Sequence, residues 1–390
     1  MKGLFRQKGA QLDINILASD EAQEFITTHA GILDGGFQKV EMSDKMRERL
    51  TRSNYIFSGI KTFHELNEAF PSMLDENGNK KPFERFLNDV QKINDTYNAN
   101  YLHAEYNFVQ ASATMAAKWE QFSEDGDRYY LQYRTAKDDK VRPEHAALDG
   151  VTLPMSDSFW ETYYPPNGWN CRCTVVQVRK QKYPATEHSD AMSRGEEAMN
   201  GERYNIFRFN SGKQGKTMPD YNPYTIRRCN DCDVAKGKLK LGFVPDYQLC
   251  QGCIMIRKCS EDRNRDNSAK ATKKSPEVKK LQGTTISNPD FNHEVLVTGG
   301  SIKEWTNQPH KEYAAKNSIL KHIAKVFREA NYIGVVDNFK QKPGVIQSHL
   351  FETTVLGDVS WIVIREYDDG RFILHSLSDG DRIKTGIRKE

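Results

Sequence analysis

Over the first 127 residues, apolar positions recur at three- and four-residue intervals, the spacing of amphipathic helices. Ser19-Asp20-Glu21 and Ser43-Asp44-Lys45 precede such runs. Each offers a hydroxyl to the free backbone N–H groups of a first turn, so both read as helix starts. The first places Phe25, Ile26 and Ile32 on an apolar side. The second leads into Met46, Leu50 and Ile56, with Arg47, Arg49 and Arg52 exposed. The longest helical stretch covers residues 80–123. Phe83, Phe86, Leu87, Val90 and Ile93 open it, and Tyr97, Tyr101, Leu102, Tyr106, Val109 and Met115 continue it across a break near 98–100.

The pattern then changes. Residues 129–135 and 174–178 read as strands. Between them come a polar turn at 136–140, Pro143 at the first position of a short helix, and Asp149-Gly150 as a turn. Pro165-Pro166-Asn167-Gly168 forms a rigid loop that delivers Cys171-Arg172-Cys173 into the second strand. Residues 179–228 are interrupted by Gly195, Gly201, Gly212, Gly215, Pro219 and Pro223, with one short strand expected at 204–209. Residues 260–280 are charged and lack aromatics, which predicts a basic tether. In 281–390, Ile319, Leu320, Ile323, Val326, Phe327 and Ala330 stripe a helix opened by Pro309. Strands are expected at 294–298, 333–336, 346–355, 359–367 and 371–377, the last three joined as an antiparallel meander by Gly357-Asp358 and Asp369-Gly370.

The expected fold class is therefore multidomain α+β. It comprises a helical region (1–127), a core carrying a small α+β Cys-Arg-Cys unit (128–228), a four-cysteine knuckle (229–259), the tether (260–280) and a C-terminal α+β domain with an antiparallel sheet (281–390). Charge does not mark the whole chain as a nucleic-acid binder, since 56 basic residues face 53 acidic ones. A mean hydropathy of −0.74 and no apolar run of membrane-spanning length exclude a membrane span. The basic start Met1-Lys2-Gly3-Leu4-Phe5 has no apolar run behind it, so no signal peptide is expected.

All seven cysteines fall between 171 and 259, which favours metal ligands over a disulfide framework. Cys229, Cys232, Cys250 and Cys253 form a C-x₂-C pair repeated after seventeen residues, the spacing of a structural zinc site. Basic residues around it, including Arg227, Arg228, Lys236 and Lys240, allow either contact with nucleic acid or a plain fold staple; the staple is favoured. His145, Cys171 and Cys173 could also converge on a metal, with Asp149 or His188 completing the set, or could be buried residues pinning a strand–loop–strand unit.

In order, Arg134, Thr135, Asp138, Val141, Arg142, His145, Leu148, Asp149, Gly150, Trp160, Pro165, Pro166, Gly168 and Asn170-Cys171-Arg172-Cys173 make a string that resembles the phage Mu protein F-like family of head morphogenesis (minor capsid) proteins. The resemblance implies a role in capsid assembly, with the portal or major capsid protein as partner, in the virion or in the host cytoplasm during assembly. It implies that the N-terminal helices dock on capsid or portal, and it implies no catalysis by the central motif.

The element order of 281–390, with Gly299-Gly300-Ser301-Ile302-Lys303-Glu304-Trp305 and His375-Ser376-Leu377-Ser378, is similar to the barnase–EndoU–colicin–RelE ribonucleases. That likeness implies metal-independent RNA cleavage by histidine acid–base chemistry, with His310, His349 and His375 as candidates and Lys303 or Lys311 holding phosphate. His322 reads as a packing or surface residue. Against this stands a balanced charge of 14 basic and 14 acidic residues, which requires a local phosphate patch. The alternative expectation is a zinc-stapled nucleic-acid-binding adaptor, binding RNA or phage DNA, with an inert C-terminal module.

Overall fold

Ser19 and Ser43 start their helices as the sequence predicts: each side chain accepts from the backbone N–H three residues on, at Ala22 and Met46. The computed structural model describes residues 1–7, 12–224, 250–308, 313–338, 341–355 and 357–388. Its contacts divide the chain into two units, Met1–Ser260 and Glu261–Glu390.

In the first unit, α1 (Lys2–Arg6) and α2 (Asp20–Gly35) lead to the 26-residue α3 (Asp44–Ala69). Ala22, Ile26, His29, Ala30 and Leu33 form the buried stripe of α2, at helical spacing. Phe25 and Ile32 lie beside that stripe and are exposed, contrary to the apolar side assigned to them. Arg47 is half-buried, because it donates to the carbonyls of Phe37 and Val40 at 3.1 and 2.6 Å. From Ser53 to Leu66, α3 is buried almost all round, polar residues included. The break expected near 98–100 is a π-helical turn (Thr96–Asn100) between α4 (Phe83–Asp95) and α5 (Leu102–Asp125).

A three-stranded antiparallel sheet follows, ordered β2-β1-β3, with β1 at Tyr130–Arg134, β2 at Thr152–Pro154 and β3 at Thr174–Val178. Short helices α6 (Pro143–Ala146) and α7 (Phe159–Thr162) lie in the connections. Then come α8 (His188–Ala198) and α9 (Ser211–Gln214), for which no helix was expected. The strand expected at 204–209 is instead a 3₁₀ helix, Glu202–Phe207. It buries Tyr204, Ile206 and Phe207, and Phe207 packs on Phe108 and Trp169 at ring distances of 5.5 and 5.4 Å. A short apolar run fits strand or helix, and packing chose helix.

The stretch 260–280 is helical, not an extended tether: it lies in α10 (Gln251–Lys274) and α11 (Pro276–Leu281). Within the second unit, Asn317 donates to Ser268 at 3.2 Å and Tyr313 to the Glu261 carbonyl at 3.3 Å. Those polar contacts hold residues 261–274, a segment with little apolar surface of its own.

The sheet of the second unit has the order β4-β5-β9-β8-β7-β6. Its strands are β4 (Thr285–Asn288), β5 (Phe291–Leu296), β6 (Asn331–Asp337), β7 (Val345–Val355), β8 (Asp358–Tyr367) and β9 (Phe372–Ser378). β7 to β9 form the expected antiparallel meander, β6 extends it by pairing antiparallel with β7, and β5 joins β9 in parallel. Thr298 and Ser301 form a capping box at α12 (Gly299–Asn307). The single helix expected after Pro309 is α13 (Tyr313–Ser318), a 3₁₀ turn and α14 (Ile323–Glu329). Leu320, Ile323, Phe327 and Ala330 pack with Phe351, Ile362, Ile364, Leu374 and Leu377 in one core. Among the described residues, no helix is long and apolar enough to cross a membrane.

Candidate metal centre

The order of residues from β1 to β3 becomes intelligible once each side chain is placed. Past β1, the Thr135 backbone N–H and hydroxyl both donate to Asp149 Oδ1, at 2.9 and 3.1 Å, which closes the polar turn. Asp138 in that turn receives two hydrogen bonds from Arg172, at 2.6 and 2.7 Å, and they hold its carboxyl below the usual range. Pro143 sits in the first turn of α6 and leads to His145, which is 2% exposed. Arg142 donates to the Trp169 carbonyl at 2.7 Å.

The Pro-Pro loop folds back over α6. Pro165, Pro166, Asn167 and Gly168 are all buried, and Asn167 accepts from the Tyr133 hydroxyl at 2.8 Å. A β-carbon on Gly168 would come within 3.2 Å of the Arg142 guanidinium, which would have to give by a few tenths of an ångström, and within 3.7 Å of His145, an ordinary contact. Asn170 then takes a left-handed φ of 57°, and its side chain accepts from Asn107 at 3.0 Å. This turn sends Cys171 and Cys173 toward His145.

Cys171 Sγ is 3.7 Å and Cys173 Sγ 3.8 Å from His145 Nδ1. The three ligand atoms lie within 4.8 Å of one another. Cys171 is buried and Cys173 half-buried. The hydrogen bond from Cys173 and then the His145 ring push the Cys171 thiol well below its ordinary range, against burial. Its partner Cys173 is pushed up, first by Cys171 and then by burial. His145 Nε2 is buried without a hydrogen-bond partner among the described residues. Asp149 and His188 do not join the group. Asp149 is held by Thr135 and lies 3.5 Å from Lys137, and His188 Nδ1 is 3.0 Å from both Asp157 oxygens. Arg142, Gly168 and Trp169 also line a cleft of about 660 Å³ with Arg203, Tyr204 and Phe207.

Of the four knuckle cysteines, Cys229 and Cys232 lie outside the described residues. Cys250 and Cys253 are one helical turn apart, with sulfurs 3.5 Å from each other.

In the second unit His349 is 3% exposed. Its Nδ1 meets the Tyr332 hydroxyl and its Nε2 meets Glu366 Oε2, both at 3.0 Å; Gln347 donates to the same oxygen at 2.8 Å. Burial would raise the Glu366 carboxyl, but the bonds from His349 and Gln347 hold it below its usual range. Tyr332 and Glu366 were not foreseen; Glu366 lies two residues beyond Ile364, which the sheet register pairs with His349. His375 lies where the β8–β9 register shifts, and β8 separates its strand from that of His349, so the two are not cross-strand neighbours. Lys303 and His322 are exposed, while His310 and Lys311 lie outside the described residues.

Residues 76–176 match the family described as Phage Mu protein F like protein, and residues 264–374 match Large polyvalent protein-associated domain 3. The "Putative capsid assembly protein F" of Escherichia phage Mu is 31% identical over 177 residues, which are 44% of this chain and 38% of that protein. The "Mu-like prophage FluMu F protein" of Haemophilus influenzae is 33% identical over 198 residues, 49% of this chain and 42% of that protein. The chain thus spans about two fifths of the length of these curated relatives. No solved structure matches it.

Proposed function

Through residues 76–176 the chain belongs to the Phage Mu protein F-like family, and from that premise we propose that it acts in phage head morphogenesis as a minor capsid component. The observation that carries the reading is the family match over residues 76–176, a segment that ends in one unit where Thr135 holds Asp149, Arg142 holds the Trp169 carbonyl, Arg172 holds Asp138, and His145 meets Cys171 and Cys173. Portal or major capsid protein is the partner, and the chain resides in the virion or in the host cytoplasm during assembly. The test is to assemble heads from the portal and major capsid proteins of the genome that encodes the chain, with and without it. The chain is expected to sediment with the heads; a chain that stays apart, with heads formed equally well without it, would overturn the reading.

A second reading concerns the C-terminal unit: a metal-independent ribonuclease. Support comes from the His349 ring held between a carboxylate and a tyrosine hydroxyl, an arrangement suited to proton transfer. Lys303, His310, Lys311 and His375 belong to this proposal as its remaining site residues. Cleavage of RNA by the full chain in chelator, lost in His349→Ala or His375→Ala, is the expected result. Folded protein that cleaves no RNA would leave the inert-module alternative. The four-cysteine site of Cys229, Cys232, Cys250 and Cys253 is proposed to hold zinc as a structural staple, and zinc lost on Cys250→Ser/Cys253→Ser is its test.

A further inference from the structure

We propose that His145 Nδ1, Cys171 Sγ and Cys173 Sγ form a second zinc site, separate from the four-cysteine spacing and independent of the capsid and nuclease readings. The argument starts from distances. A tetrahedral zinc with sulfur at about 2.3 Å and imidazole nitrogen at about 2.0–2.1 Å places those ligand atoms about 3.6 Å apart. The two sulfur-to-nitrogen distances are 3.7 and 3.8 Å, with no side chain moved. Both sulfur-to-nitrogen distances therefore match such a site as they stand, and the two sulfurs lie within 4.8 Å of each other.

The second argument is polar satisfaction. Buried polar groups are nearly always hydrogen-bonded. Among the described residues, the His145 ring has no oxygen or nitrogen partner at either nitrogen: Nε2 has none, and Nδ1 meets only the two sulfurs. A thiol is a weak donor, so the metal-free cluster would leave a buried imidazole poorly satisfied. A zinc ion on Nδ1 replaces two weak sulfur contacts by a strong bond, and the ring proton then sits on Nε2, which has no partner among the described residues. The charge also closes, since two thiolates neutralise the divalent ion and leave no net charge to bury.

The third argument is construction. Asp149, Arg142, Gly168 and the left-handed Asn170 fix the approach of His145 and of the Cys-Arg-Cys run by separate contacts. Metal sites need ligands held in place by neighbours in this way. The site ties α6 and the Pro-Pro loop to the start of β3, in a unit whose own sheet has only three short strands. Three protein ligands leave a fourth position for water.

The test is metal content and cobalt spectroscopy of the full chain, purified reduced and without a polyhistidine tag. The measurement is made in a Cys250→Ser/Cys253→Ser background, so that the four-cysteine site cannot contribute. About one zinc per chain is expected, together with the sulfur charge-transfer and tetrahedral visible bands of cobalt after exchange. X-ray absorption should show a shell of mixed sulfur and light atoms. Adding Cys171→Ser/Cys173→Ser should abolish the ion. His145→Cys should keep it, because thiolate replaces imidazole, while His145→Ala weakens it. Metal content unchanged by the two serines would overturn the assignment. So would a metal-free folded background protein, or one carrying a Cys171–Cys173 disulfide in place of the ion. If the serine variant fails to fold, the absorption shell of the background protein still decides.

Discussion

Replacing Lys61 by methionine removes the cation from a group that the first unit closes to water. Lys61 is 1% and Glu105 3% exposed, and the Lys61 Nζ lies 2.6 Å from Glu105 Oε2. His29 Nε2 is 3.1 Å from the same ammonium, its Nδ1 is 2.8 Å from the Ser58 hydroxyl, and Tyr224 donates to the other Glu105 oxygen. Burial alone would raise the Glu105 carboxyl; the His29 ring, 3.6 Å from Oε2, and the charge and bond of Lys61 reverse this and hold it below its ordinary value. Removing one member of a buried ion pair typically costs about 3–5 kcal/mol, while replacing both by apolar groups is near neutral. Lys61→Met is therefore expected to lose about 3–5 kcal/mol, and Lys61→Met/Glu105→Leu to lose less than the single variant. The pH dependence has a definite sign. A depressed folded pKa gives the wild type stability that is present above the unfolded carboxyl's pKa and fades as pH falls through the folded value. In Lys61→Met, burial is left with less opposition, the carboxyl shifts up, and protonation relieves the variant. The gap between the two should shrink in acid. Urea titration read by hydrogen exchange in peptides of α3 and α5 isolates the first unit. Losses that add in the double variant, or a gap that widens in acid, would refute the reasoning.

Two glycines should respond oppositely to alanine. A β-carbon on Gly212 would sit 2.1 Å from Trp119 Cβ, so Gly212→Ala should cost about 1–3 kcal/mol. Gly31, inside α2 with nothing within 4 Å, should gain about 0.5–1 kcal/mol in Gly31→Ala; thermal unfolding compares them. Asn288 donates to the Phe327 and Ala330 carbonyls at 2.6 and 2.8 Å, at the end of α14. Asn288→Ala should cost about 1–3 kcal/mol and speed exchange in α14 peptides. Tyr133→Phe strands the buried Asn167 oxygen and should cost about 1–3 kcal/mol by urea unfolding.

Local chemistry was legible in the chain. Serine caps, the break after α4, the meander turns and the string from Thr135 to Cys173 are each set by a few neighbouring residues, and each is found where the sequence places it. The central motif could be read because its residues sit close in sequence and carry distinct conformational needs: proline at a helix start, glycine against an arginine, and two cysteines two residues apart.

What needed the tertiary structure was which polar groups end up buried together. Lys61 is an ordinary helix residue until α2, α5 and Tyr224 surround it. Residues 260–280 have the composition of a tether, yet their helix docks through Ser268 and Glu261 on side chains roughly fifty positions later. His349 finds Glu366 and Tyr332 only because β8 and β6 flank β7. Periodicity and capping are short-range and survive in one dimension. Desolvation depends on what a side chain meets from distant segments, and only the folded chain supplies those neighbours.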